Sequence, residues 1–207
     1  MTDGRWVEPI TLEGSFVRLE PLSADHLPGL IEAGADPDIW TWMPLAGDSP
    51  ERMRDLVRAA LESAGRGTEV PFVTVERAGR RVAGSTRFLS IVPEHRRLEI
   101  GWTWLGEPWR RSMVNSEAKL LQLEHAFERL GAGRVEFKTD ALNVRSRTAL
   151  LAIGATFEGI FRRHMVLPSG RRRDSACFSI VDDEWPKVRR RLEERIARLG
   201  ALAAAPA

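Results

Sequence analysis

The sequence predicts an α+β fold with a mixed, mostly antiparallel sheet and flanking helices. Three observations point there: an early β-hairpin, a single clear strand–helix–strand crossover between about residues 98 and 139, and a long amphipathic segment near the C-terminus. The 207 residues lie near the upper end of single-domain size, and no internal repeat or linker divides them. One domain spanning 1–207 is expected.

The elements follow in order. Phe16-Val17-Arg18-Leu19 alternates apolar and polar residues as a half-buried strand does, and Pro21, which lacks a backbone donor, ends it. Ser23 can cap a helix to about Ala33. Ser49-Pro50-Glu51 combines a capping hydroxyl, a proline at the first helical position and an acid in the first turn, so a second helix starts there. Residues 70–76 and 82–89 read as strands joined by Ala78-Gly79-Arg80, an antiparallel hairpin. From 98 to 105 the alternation puts Leu98, Ile100, Trp102 and Trp104 on one face and Glu99, Gly101, Thr103 and Leu105 on the other. Glu99 is thereby expected to point away from the tryptophans.

Pro108 breaks that strand, and Asn115 or Ser116 can cap a helix carrying Leu120, Leu123, Phe127 and Leu130 at helical spacing, with Gly131 as its left-handed cap. A strand at 135–139, a helix at about 145–153 stopped by Gly154, and strands around Met165 and at 176–181 complete the sheet. The last helix is expected at about 182–199, burying Trp185, Val188, Leu192, Ile196 and Leu199, with 200–207 a disordered tail.

Composition narrows the function. A hydrophobic share of 43% with 29% charged residues is that of a globular chain, which argues against disorder. No apolar run approaches membrane-spanning length and residues 1–6 lack the pattern of a secretory leader, so a cytoplasmic protein without a membrane partner is expected. A single cysteine, Cys177, excludes an intramolecular disulfide and a cysteine-rich zinc site. The four histidines share no metal-like spacing, so no metal is expected. The pI near 9.2 hides a balance of 31 basic against 29 acidic residues, so a strong polyanion field is not expected. Arg171-Arg172-Arg173 follows Pro168-Ser169-Gly170 and reads as a solvated hairpin turn, with nucleic-acid binding as the lesser alternative.

The chemistry concentrates between Glu99 and Ser146. Residues 99–118 read as strand, tight loop and helix start, an order that makes anion sites, because unpaired N–H groups of the first helical turn and the helix dipole both face the loop. Arg110 and Arg111 add positive charge there. Without a wider context the same run is simply a sharp strand-to-helix turn.

Several motifs supply that context: Leu12-Glu13-Gly14 with Val17-Arg18-Leu19-Glu20-Pro21-Leu22, Glu99-Ile100-Gly101-Trp102, and Glu117-Ala118-Lys119. Further along stand His125-Ala126-Phe127, Leu130-Gly131, Arg134-Val135, Asn143 with Ser146, Glu158-Gly159, and Arg173-Asp174 before Phe178-Ser179-Ile180. In this order the chain resembles the GNAT acetyltransferase superfamily, and within it the RimJ/RimL-like branch of ribosomal-protein-alanine acetyltransferase type. The resemblance covers most of the chain. It implies a sheet splayed at its centre, with the pantetheine arm of acetyl-CoA in the gap and the pyrophosphate on the loop formed by Arg110, Arg111, Ser112, Met113, Val114, Asn115 and Ser116.

By the same resemblance Trp102, Thr103 and Trp104 flank the cofactor, Asn143 binds the pantetheine amide, and Ser146 lies near the sulfur, where the usual tyrosine is missing because the chain has none. Met113 stands where the family usually has glycine. Glu99, eleven positions before Arg110, matches the catalytic glutamate of some members and is expected as the general base for a primary amine, small or peptidic. Each residue also has a plainer role: Glu99 can pair with Arg96 or Arg97, Asn143 or Ser146 can cap the following helix, and the tryptophans can pack a core. His164, beside Arg162 and Arg163, is a further candidate at the acceptor. A non-catalytic acyl-CoA-binding domain is the alternative function, and a homodimer is compatible with the sequence.

Overall fold

The computed structural model describes residues 5–204. Residues 1–4, part of the stretch read for a leader, and 205–207, the end of the expected tail, lie outside the described residues. Eight strands form one sheet: β1 (Leu12–Glu13), β2 (Val17–Pro21), β3 (Val70–Glu76), β4 (Arg81–Val92), β5 (Arg97–Leu105), β6 (Arg134–Asp140), β7 (Thr156–Val166) and β8 (Arg172–Val181). Their spatial order is β1-β2-β3-β4-β5-β6-β8-β7, and among the described residues only β5 and β6 run parallel. A parallel pair needs a crossover, and the helix between these two strands supplies it.

The helices are α1 (Leu27–Ala33), α2 (Pro50–Gly65), α3 (Met113–Glu124), α4 (Val144–Ile153) and α5 (Trp185–Ala204). Ser49 caps α2 by accepting the amide of Arg52 at 3.3 Å, as its side chain and the following proline predict. Gly131 and Gly154 adopt positive φ where chain reversal follows a helix. Helix α5 continues to Ala204, past the expected end near residue 199, because alanine and leucine beyond Gly200 extend a helix readily.

Adjacent strand residues feed two separate cores. Phe72 packs with Leu98, Ile100, Leu123, Phe178 and Leu192 beneath α3 and α5, while its neighbour Val73 packs with Leu30, Met53, Val57 and Trp104 beneath α1 and α2. Each face of the sheet is therefore covered by helices.

Two irregularities in β5 position everything that follows. Its pairing with β6 lasts for three residue pairs, Arg97↔Arg134, Leu98↔Val135 and Glu99↔Glu136, after which the strands part. On its other edge, Ser85 faces Trp104 but Arg87 faces Gly101, so two steps along β4 match three along β5. That is a β-bulge, and Trp102 occupies it with φ 51°.

The bulge overturns the expected alternation. Leu98 and Ile100 lie in the α3/α5 core, but Trp104 lies in the α1/α2 core against Trp40, with ring centroids 5.1 Å apart. Thr103 turns the opposite way, its hydroxyl 2.9 Å from Lys119 of α3. Glu99 thus shares a face with Trp102 and Trp104 instead of opposing them. Across the bulge, a Cβ on Gly84 would lie 2.0 Å from the Trp104 carbonyl oxygen, so only glycine allows this close approach of the strands.

Candidate active site

Glu99 sits where β5 and β6 separate, and it is 7% exposed. Lys138 reaches across the opening to its carboxylate at 2.6 Å, and the Ser90 hydroxyl donates at 3.3 Å. The expected partners Arg96 and Arg97 are not used: Arg97 pairs with Glu136 at 3.2 Å. Glu136 also receives Lys138 at 3.2 Å and Arg134 at 3.1 Å. Burial disfavours charge on Lys138, but Glu99 and Glu136 outweigh it and hold its pKa above the ordinary lysine value. Lys138 and Ser90 accordingly hold the Glu99 carboxylate in a fixed orientation.

One wall of the opening is the turn from β5 into α3. Helix α3 begins at Met113, earlier than a cap at Asn115 or Ser116 would have it, because the Ser112 hydroxyl accepts the Val114 amide at 3.2 Å and donates to the Trp109 carbonyl at 2.7 Å. Met113 has no positive φ. The left-handed residue of the loop is Arg111, at φ 60° and exposed. A glycine is therefore not required for backbone conformation at Met113, which sits in an ordinary first helical turn.

The loop side chains divide their tasks. Arg110 donates to the Leu105 carbonyl at 3.1 Å and approaches Asp36 to 2.8 Å, at angles outside hydrogen-bond geometry. Its charge is spent on the fold, leaving Arg111 and the first-turn amides of α3 for an anion. Val114 is buried in the core, and the Ser116 hydroxyl accepts from Arg195 of α5 at 3.1 Å, turned away from the opening. Asn115 is partly exposed.

The other wall is the turn from β6 into α4. Asn143 caps α4, its Oδ1 accepting the Ser146 amide at 3.0 Å. This capping role fixes the side chain while leaving the amide nitrogen without a protein partner among the described residues. Among the described residues the Ser146 hydroxyl likewise has no hydrogen-bond partner. Asn143 also lines a cleft of about 370 Å³ with Asp38, Thr41, Trp42, Leu142, Val144 and Arg145.

The tryptophans separate into two groups. Trp40 and Trp104 are core residues, as their plainer role has it. Trp42 faces the cleft under the Arg171 guanidinium at 5.7 Å, and Trp102 lines a narrow groove under Arg87 at 4.5 Å. His164 bonds Ser175 through Nδ1 at 3.0 Å. The arginine run is not a solvated turn: Arg171 pairs with the buried Asp140 at 2.5 Å, Arg173 is 5% exposed, and of the three Arg172 alone is exposed.

Sequence reasoning missed Lys138, Asp140 and Arg173. Alternation in β6 was a usable signal for the first two, since Glu136, Lys138 and Asp140 share the face opposite Val135 and Phe137. Nothing local marks Arg173 as buried, because its cover comes from distant segments. Among the described residues no group of three or more metal-ligating side chains occurs, and no helix is long and apolar enough to cross a membrane.

The sheet opens at a buried glutamate, between a capped helix N-terminus and an asparagine-capped turn, and the comparisons give the class of the fold. Residues 17–156 match the acetyltransferase (GNAT) domain, and the chain belongs to that family. Among curated proteins it is 30% identical over 102 residues to the uncharacterized N-acetyltransferase YoaA of Bacillus subtilis (strain 168), a match spanning 49% of this chain and 56% of that protein.

Among solved structures it resembles a GCN5-related N-acetyltransferase from Brucella melitensis, at 32% identity and TM-score 0.85 over 91% of this chain and 86% of that one. A candidate acetyltransferase from T. thermophilus is 40% identical, with TM-score 0.84 over 92% and 99% of the two chains. Mycobacterium smegmatis RimJ in complex with CoA-disulfide shares the fold at 20% identity and TM-score 0.76, over 90% of this chain and 94% of that one.

Proposed function

We propose that the chain, working as one domain, is a RimJ/RimL-like N-acetyltransferase that moves an acetyl group from acetyl-CoA to a primary amine by direct attack in a ternary complex. The amine belongs to a protein N-terminus, a peptide or a small molecule. The observation that carries this reading is the parting of β5 and β6 at Glu99 and Glu136, beside the bulge at Trp102.

The residues present fit the co-substrate. First-turn amides of α3 at Met113, Asn115 and Ser116, with Arg111, suit a pyrophosphate. The free amide nitrogen of Asn143 suits a pantetheine carbonyl, and Ser146 suits the leaving sulfur. Bound there, acetyl-CoA supplies an activated acyl group. The bulge leaves a residue of β5 out of the β4 ladder, so backbone N–H groups near Trp102 and Thr103 are available to polarise a carbonyl oxygen.

Glu99 accepts the proton of the attacking amine. An amine grows strongly acidic as its nitrogen forms a new bond, so a carboxylate of modest basicity suffices if it is held in place, and Lys138 and Ser90 hold it. Glu99→Gln preserves shape and removes the proton acceptor. We expect CoA affinity to stay within a few-fold while kcat/KM falls by roughly 10² to 10⁴, a defect that shrinks as pH rises from about 6.5 to 9 and free amine becomes plentiful. Thiol release with an amine panel measures it; equal rates for both proteins across that range reject Glu99 as the base.

The Glu99–Lys138 ion pair, together with the lack of tyrosine, favours as second reading a non-catalytic acyl-CoA-binding domain. Tight CoA binding with no thiol release across the panel would select it.

A further inference from the structure

Arg173 is a buried cation with no hydrogen-bonded counterion, although Asp140 and Glu99 lie near enough to favour its charge. It is 5% exposed, its Nε is buried without a hydrogen-bond partner, and among the described residues no carboxylate or carbonyl pairs with its guanidinium. The acids around it are already committed. Asp140 accepts the Leu142 amide at 3.0 Å and pairs with Arg171 at 2.5 Å, while Glu99 is taken by Lys138 and Ser90. Arginine does not lose its proton in proteins, so the charge cannot be relieved by titration. A buried guanidinium without a hydrogen-bonded partner is unfavourable, which is a reason for a partner to arrive from outside.

The surroundings say where that partner lies. On β8, Arg173 is paired with Met165 of β7 on one side. On the other side the β6 ladder ends at the pair Asp140↔Ser175, and the chain leaves as Ala141 bonds the Asp174 carbonyl at 2.9 Å. Beyond that end come Leu142 and Asn143, which line the cleft next to Trp42. Alternation along β8 places Arg173 on the face of Cys177, opposite Lys138 and away from the core residues Ala176 and Phe178. Arg173 is therefore on the same face of the sheet as the Glu99–Lys138 pair, two residues along β8 from Arg171, whose guanidinium lies 5.7 Å from the ring of Trp42 in the cleft wall.

We propose that Arg173 anchors a carboxylate carried by the amine acceptor, so that the acceptor class is amino acids with a free carboxylate. This rests on the acetyltransferase reading and adds the chemistry of the acceptor to it. A guanidinium fork matches a planar carboxylate in bidentate fashion. The charged lining of the cleft is Asp38 and Arg145, a near-neutral balance that suits a singly charged carboxylate better than a dianionic phosphate. Trp42, Leu142 and Val144 give the cleft an apolar wall for a side chain, and about 370 Å³ is room for one amino acid.

The test uses the full chain, the free L-amino acids and the carboxamide of each, with wild type, Arg173→Gln and Arg173→Lys. Binding is read by thermal shift in the presence of CoA, and turnover by thiol release from acetyl-CoA. Wild type is expected to favour at least one amino acid over its amide by roughly 10- to 100-fold in kcat/KM, mostly through KM, the range of a charge-assisted hydrogen bond. The amide's less basic amine is more often unprotonated, a bias against this result. Arg173→Gln should erase the preference by raising KM for the acid alone, Arg173→Lys should restore part of it, and CoA affinity should not change.

If no free amino acid binds or reacts better than its amide, or if Arg173→Gln impairs acid and amide alike, the proposal is overturned. Weakened CoA binding in Arg173→Gln also overturns it, by assigning the arginine to the co-substrate. Carboxylate-dependent binding lost in Arg173→Gln, with no turnover of any amine, keeps the subsite and rejects acetyl transfer. Turnover of amines indifferent to carboxylate and to Arg173 does the reverse.

Discussion

Lys119 shows how much a single buried group can cost. It lies on α3 beneath the bulge, 5% exposed, with Thr103 at 2.9 Å, Gln122 at 3.2 Å and Thr86 at 3.3 Å, and no carboxylate among them. Burial pushes its pKa down from 10.5 to about 7. The sign follows from proton counting: between pH 7 and 10.5 the unfolded chain holds a proton that the folded chain has released, so stability rises with pH across that window, and the penalty is complete below about 7. Lys119→Met, which keeps the volume, should therefore raise stability by about 2–4 kcal/mol near pH 6.5, with the gain fading toward pH 10. Urea titrations at both pH values check it, and a gain independent of pH rules out the titration of Lys119 as its source. The neighbouring hydroxyls stay satisfied in the variant, since Thr86 and Thr103 bond each other at 2.8 Å.

At the scale of elements, Glu117 joins α3 to the first hairpin. Its carboxylate accepts the amides of Ser15 at 2.8 Å, Phe16 at 2.7 Å and Val17 at 2.7 Å, closing the turn between β1 and β2 over a distance of about a hundred residues in sequence. A Cβ on Gly14 would come within 2.5 Å of the Glu117 carboxyl carbon, so the glycine leaves room for that contact. This is why Leu12-Glu13-Gly14 and Glu117-Ala118 occur together. Glu117→Ala strands three amides, at least one of them buried, and should cost about 2–4 kcal/mol, a Tm loss of roughly 5–15 °C for a chain of this size. Glu117→Gln keeps one acceptor oxygen and should lose about half as much. Calorimetry settles it, and a change under about 0.5 kcal/mol for the alanine variant would show that water replaces the carboxylate at the hairpin.

For the whole molecule, the candidate site is assembled from segments far apart in the chain: β5, the start of α3, the β6–α4 turn, the start of β8 and the 38–42 segment. A ligand that bridges them stabilises the assembly by mass action, about 2.7 kcal/mol at a hundred times its Kd. Acetyl-CoA at that excess should raise Tm by roughly 5–10 °C, and Asn143→Ala should reduce the shift by lowering affinity. Because Asn143 also caps α4, the variant without ligand should itself lose about 1 kcal/mol, and the ligand-induced shift is to be compared within each protein. Absence of any shift at millimolar acetyl-CoA would remove the co-substrate from the proposed function.

Local chemistry determined most of the elements. The Ser49-Pro50 start, the glycines at 131 and 154, the hairpin at Ala78-Gly79-Arg80 and the amphipathic last helix are written in neighbouring residues, because caps, turns and helical periodicity are short-range. The tertiary structure alone decided which face each residue of β5 shows, since the bulge at Trp102 is set by the pairing with β4 and has no signature in an alternating run. It decided the partner of Glu99 as well. Lys138 lies 39 positions away and meets it because β5 and β6 run parallel in one register. Arg173 reads as one of three turn arginines, and its burial follows from the end of β6 and the packing of β7, contacts no sequence window contains. Periodicity is a property of neighbours in the chain, whereas an active site is a property of neighbours in space, and only the fold converts one into the other.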